Sequence, residues 1–572
     1  MAIEGSEVAG APSFALPRYE NPELVIALVG AIGTKIDEAE RLVAALLERY
    51  EYDTAIIRIS ELFRLDPAYK NPRARSFGYY KAAINKGNEI REELKTNDAL
   101  AQLAVREIAI QRTSHNWKHG ERRACLIHSL KTPEEVDAFR AIYGELFYCV
   151  AIHAHRDERL KRMAEKCLET NGDLDEDTRN ARAATRAEEL VKQDEFEPIS
   201  YGQKVRDAFE KADYYVDSDE TGRLSKGLER FLKLVFDEPF ISPSVSEVAM
   251  AHAYMAGLRS ADLSRQVGAA IVGRDGQILT TGCNDVPRPG GGQYWPGDAD
   301  DARDFKHNED LNDRKKKEAF VELLGQIDDL LRGDLQGDPR HVYNKELKSR
   351  LKGTRFDALL EFSRAVHAEM AAMNAAAIEM ISIRDADLYC TTFPCHMCAR
   401  QIINTGIRNV FYIEPYPKSL TGELFGEAVD INPNLGTEEL ERRFAADPPA
   451  TRTVAFIPFC GVAPRRYGAL FSNKKRKNDE GSTVPFVPET ARPRRAPIAA
   501  LHLQTEVGIS ARMNDAVARW IAGAGVSQGQ FTGSEVASNL PGDKQANSET
   551  VRPTDSPPSE HRRGRRRGRR KQ

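Results

Sequence analysis

The chain has 572 residues, more than one hydrophobic core ordinarily supports, so two or three folded units joined by linkers are expected. No apolar run approaches a membrane span, and "MAIEGSEVAGAPS" lacks the basic start and apolar centre of a secretory leader, which predicts a cytoplasmic protein with no membrane partner. The terminal "HRRGRRRGRRKQ" carries eight Arg and Lys; against −4 for the whole chain this leaves −12 on the remainder, an acidic body that disfavours a broad polynucleotide-binding surface.

After a flexible start over 1–20, "ELVIALVG" is a short apolar run closed by glycine. "IDEAERLVAALLERY" repeats Leu and Ala at helical spacing, and "TAIIRIS" is a second strand-like run. The alternation continues through "RRACLIHSL", "PEEVDAFRAIYGE", with Pro133 near a helix start, and "LFYCVAIHAH". This predicts a parallel sheet covered by helices over 21–236. A second unit, 237–472, opens with "SVSEVAMAHAYMAGLRSAD", where Ser244 or Ser246 caps a helix. It continues as a hairpin, "GAAIVGRDGQILTTG", turning at Asp275-Gly276. An insertion over about 286–360 contains a helix of its own, "KKKEAFVELLGQIDDLLRG". From 473 to 572 the composition is that of a mostly disordered tail with one helix around "ARMNDAVARWIAGA".

Eight cysteines scattered over this length make no disulfide framework, and only Cys395 and Cys398 have metal-ligand spacing. "RAVHAEMAAMNAAAI" places His367 and Glu369 at the start of a buried helix. "TTFPCHMCARQIINTG" reads as a strand end followed by a helix that Pro394 opens and Gly406 closes. Cys395 and Cys398 then lie in a first helical turn, where the unpaired N–H groups favour thiolates. Two thiolates and one imidazole leave the fourth position of a zinc ion open for water, as at catalytic sites. Glu369, which is not a ligand, is the candidate proton carrier, and H-x-E with P-C-x-x-C is the pattern of zinc deaminases. His396 is a bystander, and His307 and His341 in the insertion could approach the site but read better as solvated loop residues.

"RSADLSRQVGAAIVGRDGQILTTGCND", "HAEMAAMN" and "TTFPCHMCARQIINTGIRNVFY" together resemble the deoxycytidylate deaminase branch of the cytidine deaminase superfamily. That resemblance implies a sheet of about five strands between helices, with His367, Cys395 and Cys398 as Zn2+ ligands and Glu369 as the proton shuttle. It also implies Asn284 against the nucleotide's sugar and base, and Ser264 and Arg265 near its phosphate. About eighty residues separate Asn284 from His367, so the insertion is expected to shape or cover the pocket.

"LVGAIGTKI" stands where a nucleotide kinase carries its P-loop, and the first unit is similar to such kinases in its later strands as well. Gly30, Gly33 and Lys35 are the candidate nucleotide-binding residues. The loop is degraded: Thr34 or Lys35 takes the second glycine position and Ile36 or Asp37 the hydroxyl position, so kinase activity is not expected. A kinase-like unit fused to a deoxycytidylate deaminase unit resembles the anti-phage dCTP deaminases. The implied activity is hydrolytic deamination of free dCTP, with dCMP as a second substrate, to the deoxyuridine nucleotide and ammonia, depleting dCTP during infection. The implied partners are a regulatory nucleotide or RNA and further copies of the chain. Two other readings use the same signature: a deaminase of DNA or RNA served by the basic tail, and a nucleotide sensor that binds without turnover. The acidic body weighs against the first and Glu369 against the second. Arg465, Arg466 and Tyr467 read equally as ligand contacts or as the finish of a sheet edge.

Overall fold

The computed structural model describes residues 21–70, 76–118, 120–168, 175–219, 221–330, 363–414, 419–433, 453–472, 475–494 and 499–523. The expected flexible start, the later part of the insertion with His341, and the Arg/Gly end lie outside the described residues. The architecture is mixed α/β, a parallel-rich sheet followed by a second α/β/α unit.

The first sheet is built from β1 (Leu24–Gly30), β2 (Asp53–Arg58), β3 (Arg123–His128), β4 (Phe147–His153) and β5 (Tyr214–Asp217), all parallel, in the order β5-β4-β1-β3-β2. All seven residues of β1 are buried, which its unbroken apolar sequence anticipates, because helices cover both faces. The covering helices used below are α1 (Ile36–Glu48), α2 (Ala99–Ser114), α3 (Pro133–Tyr143), α4 (Arg156–Cys167), α5 (Glu176–Glu195) and α6 (Thr221–Val235). Pro133 is the first residue of α3, behind a capping box formed by Thr132 and Glu135.

In the second unit Ser244, rather than Ser246, caps α7 (Val245–Gly257), in a box with Glu247. The expected hairpin joins β6 (Gly268–Val272) to β7 (Ile278–Cys283), and Gly276 turns it at φ +82°. Next comes α8 (Leu311–Leu330) within the insertion, then α9 (Ala368–Ile378), β8 (Asp387–Thr392), α10 (His396–Thr405), β9 (Asn409–Glu414), β10 (Val429–Ile431) and β11 (Val454–Pro458). The sheet has six strands rather than about five, in the order β10-β11-β9-β8-β6-β7, because the short β10 adds a parallel edge. α7 packs on one face, while α9 and α10 share a hydrophobic cluster with the other.

Between the units the chain doubles back. β12 (Gly461–Val462) pairs antiparallel with β5 and extends the first sheet, although the sequence places it in the second unit. α11 (Pro464–Phe471) follows it, and Leu470 joins the core around α6. Glu247, 1% exposed, ties the junction: besides capping α7 it accepts two hydrogen bonds from Arg230 on α6 at 2.7 Å and one from Val462 N at 2.8 Å. The core beneath α7 is continuous with that of the first unit, through Phe459, Ala463 and Tyr215. The tail helix α12 (Ala499–Gly523) is longer than expected and docks on α2, where Arg112 donates to Glu506 at 2.6 Å. No helix among the described residues is long and apolar enough to cross a membrane.

Candidate active site

The site forms where two helix N-termini meet the carboxyl end of β8. His367 is the N-cap of α9, with extended backbone (φ −64°, ψ 152°), and Glu369 is the helix's second residue. α9 lies so close on β7 that a Cβ added to Gly282 would come within 2.4 Å of the Ala368 carbonyl and the Ala372 N–H, so glycine there lets the helix start reach the sheet. At β8 the expectation that Pro394 opens the helix is corrected: α10 begins at His396, Cys395 is its N-cap (φ −69°, ψ 165°), and Cys398 is its third residue. An extended Cys395 can face both Cys398 and His367, which two residues on a continuous helical turn would not do so readily.

Cys395 Sγ and Cys398 Sγ each lie 3.3 Å from His367 Nδ1, and the three ligand atoms stand within 4.8 Å of one another. Atoms that share a tetrahedral zinc stand roughly 3.6–3.8 Å apart, so this donor set fits the ion. It is the one such group among the described residues. Hydrogen bonding from Cys398, then from His367, draws the Cys395 thiol down to about 4 despite burial. The bond to Cys395 and its charge lift His367 to about 9. Glu369, 4% exposed, is raised by burial.

The topology delivers the other expected residues to the same end of the sheet, because β6 begins, and β7 and β8 finish, there. Asn284 follows β7, and its side chain holds the approach to β6: Oδ1 accepts from Val267 N at 2.7 Å, and Nδ2 donates to the Arg265 carbonyl at 2.8 Å. The Ser264 hydroxyl donates to Asp262 at 2.8 Å. Arg265 forms an ion pair with Glu414 at the end of β9, and Glu414 also accepts from Thr392 Oγ1 at 3.1 Å. Glu210, from the first unit, adjoins this pair; burial, then the charge of Glu414, push it up to about 8, against the pull of Arg265.

Sequence reasoning passed over Asp262, Glu414, Glu210 and Cys390. Asp262 carried a local signal, since Asp-x-Ser-Arg forms a side-chain-capped turn. Cys390, buried beside Glu369 on β8, and the two glutamates carried none, being ordinary residues until the fold adds their neighbours.

Both ends of the insertion are tied next to His367, where Asp285 and Val366 exchange backbone hydrogen bonds of 3.3 and 3.0 Å. Arg303, 5% exposed, sits 3.7 Å from Asp285 and 2.9 Å from Asp301. His307 is exposed. Arg465 and Arg466 turn to the first unit, donating to the carbonyls of Glu210 at 2.6 Å and Phe147 at 3.0 Å, so they join the units.

In the first unit Gly30 to Lys35 lead from β1 to α1, with Lys35 as N-cap. Gly33 has φ +90°, and a Cβ there would strike the Arg159 carbonyl at 2.6 Å. Lys35 Nζ donates to the Asp219 carbonyl at 3.4 Å, and Ile32 N donates to Asp194 at 2.7 Å. With that donor taken, the loop as it stands does not fit a nucleotide phosphate.

Residues 243–414 match the family described as the cytidine and deoxycytidylate deaminase zinc-binding region. Deoxycytidylate deaminase of Enterobacteria phage T4 is 30% identical over 172 residues, 30% of this chain and 78% of that protein. Among solved structures, a dCMP deaminase from the cyanophage S-TIM5 in complex with dCMP and dUMP is 18% identical, covering 33% of this chain and 94% of that one, at a TM-score of 0.19. A gluconokinase from Sinorhizobium meliloti 1021 is 13% identical, covering 39% and 99%, at a TM-score of 0.20. Scores this low assign neither fold nor chemistry to either unit.

Proposed function

The chain belongs to the cytidine and deoxycytidylate deaminase family, and on that premise we propose that it hydrolyses the exocyclic amine of free deoxycytidine nucleotides, dCTP ahead of dCMP, releasing ammonia and the deoxyuridine nucleotide. The observation that carries this reading is the convergence of His367, Cys395 and Cys398 with the buried Glu369, two residues after His367 at the same helix start. His367, Cys395 and Cys398 would hold zinc, which when bound supplies a Lewis acid able to bring a water molecule's ionisation near neutral pH.

The chain's own residues do the rest. Glu369 takes one proton from the attacking water and delivers it to the ring nitrogen N3, then takes the second from the hydroxyl now on C4 and passes it to the departing amine. It can do so because it is fixed at the helix start and is not needed as a ligand. Asn284 positions the Arg265 segment through its carbonyl and first N–H, and its second N–H serves a base or sugar oxygen. Arg265, with Ser264 beside it, faces the phosphates once it leaves Glu414. A cytoplasmic location and assembly into a homo-oligomer go with this reading, as does loss of dCTP during phage infection as the biological consequence.

The test is ammonia release from dCTP, dCMP, CTP, cytidine, single-stranded DNA and RNA. Turnover of free deoxycytidine nucleotides is expected, and turnover on polymers alone would overturn the reading. Glu369→Ala should lower activity by about 10²–10⁴-fold with zinc retained. Infected cells carrying that variant should keep the dCTP that wild-type cells lose.

A further inference from the structure

A turn from a strand into a helix binds phosphate by aiming successive backbone N–H groups at one anion. In the first unit three of those donors, at Ile32, Thr34 and Lys35, already have protein acceptors. Ile32 N donates to Asp194 Oδ2 at 2.7 Å, Thr34 N to the Ala31 carbonyl at 3.1 Å, and Lys35 N to Ser218 Oγ at 3.5 Å. Lys131 Nζ reaches the same place and donates to Asp194 Oδ1 at 2.8 Å and to the Gly30 carbonyl at 3.3 Å. Asp194 is 1% exposed and is the penultimate residue of α5. A carboxylate in the last turn of a helix opposes the helix dipole, so burying it there requires compensation from outside the helix. The Ile32 N–H and the Lys131 ammonium provide it, which are the groups a phosphate would otherwise use.

Beside this carboxylate lies a cavity of 170 Å³ with Phe63, Tyr79, Tyr80, Ile84 and Leu100 in its wall. Of its cations, Lys166 stands over the Tyr80 ring at 5.7 Å, and Arg58 and His128 are matched by a carboxylate. Arg58 pairs with Glu40, which is 1% exposed, and His128 Nδ1 lies 2.7 Å from the same carboxylate. Among the described residues, Thr34 Oγ1 and Gln203 Oε1 of the lining have no hydrogen-bond partner, in residues 9% and 5% exposed. Gln203 Oε1 can only accept, so it calls for a donor such as a ring or exocyclic N–H.

We propose that Asp194 is a resident anion that closes the phosphate subsite of the first unit, and that the adjoining cavity takes a phosphate-free planar heterocycle with an N–H donor, a nucleobase or nucleoside, rather than a nucleoside triphosphate. A triphosphate on such a ligand meets the Asp194 charge, while Lys131, Arg58 and His128 already face carboxylates. The aromatic wall supplies a stacking surface that does not depend on charge.

The experiment is calorimetric titration of the full chain with adenosine, guanosine, thymidine and uridine, each beside its 5′-triphosphate. At least one nucleoside should bind saturably, and its triphosphate at least tenfold more weakly. Ala83→Trp, which fills the cavity, should remove that binding. Asp194→Asn should strengthen triphosphate binding at least tenfold while leaving the nucleoside within threefold, and Asp194→Ser serves if the first variant fails to fold. The proposal is overturned by a wild-type triphosphate affinity equal to or above the nucleoside's, by no saturable nucleoside, by binding that survives Ala83→Trp, or by folded Asp194 variants without the gain. If neither Asp194 variant folds, the wild-type comparison decides alone.

Discussion

The turn from β8 into α10 and the turn from β1 into α1 both bring a strand's carboxyl end onto a helix N-terminus, where negative charge is favoured. They differ in what the rest of the chain brings to that place. At β8 it is His367, 28 positions before Cys395, and the result is three donors converging on one point. At β1 it is Asp194, 162 positions after Ile32, and the result is an acceptor that takes the Ile32 N–H and the Lys131 ammonium. The strand-turn-helix element thus supplies a polarity and leaves the choice of ligand to a remote residue.

The largest effect expected of breaking this comparison is at the first turn. Cys398→Ser should reduce bound zinc from about one per chain to a small fraction and activity by at least about 100-fold, read by metal analysis alongside ammonia release. Full zinc occupancy in the folded variant would mean that the β8 turn is no ligand cradle.

Next comes the joint that keeps the two turns in one body. Glu247→Ala removes a buried carboxylate from Arg230, Val462 N and its own cap, and should cost about 3–5 kcal/mol. The expected calorimetric trace separates into two transitions, one per unit. An unchanged single transition would show that the shared core beneath α7 suffices without it.

The smallest effect sharpens the comparison at the contact between the units. Glu210 has its folded value raised to about 8 from an ordinary 4.5, beside Glu414, Arg265 and Asp207. Its contribution is complete below about pH 4.5, falls as the unfolded chain ionises, and is gone above about pH 8, because the folded state holds the proton longer. Thermal stability of the wild type should therefore decline between those limits, and Glu210→Gln should flatten the decline. Equal slopes for the two proteins would remove Glu210 as the titrating group.

Much of the fold could be read locally. The unbroken apolar runs of β1, β3 and β4 mark strands covered on both faces, and Pro133 and Asp275-Gly276 announce a helix start and a turn through their own backbone preferences, while the cap of α7 stayed open between Ser244 and Ser246 until the box with Glu247 decided it. The His/Cys/Cys cluster was legible for the same reason: Cys395 and Cys398 stand three positions apart, and H-x-E states its spacing within a single helix start. The exact cap was not, since Pro394 is compatible with a helix starting at either of the following residues. β12 was not legible either. Gly461-Val462 is two residues long, and its pairing with β5 depends on an edge left open more than 240 residues earlier. Arg465 and Arg466 had the same ambiguity until Glu210 and Phe147 were found opposite them.

By itself the sequence determined most of the elements and the residue types that gather at the candidate metal site, two cysteines, a histidine and the proposed proton carrier, because each motif has a spacing shorter than a helix or a hairpin. Only the tertiary structure decided which charges meet: Glu414 on Arg265, Glu247 across both units, and Asp194 in the cradle of the first. Pairings of that kind are selected by burial, which makes an unmatched charge costly wherever the fold happens to enclose it.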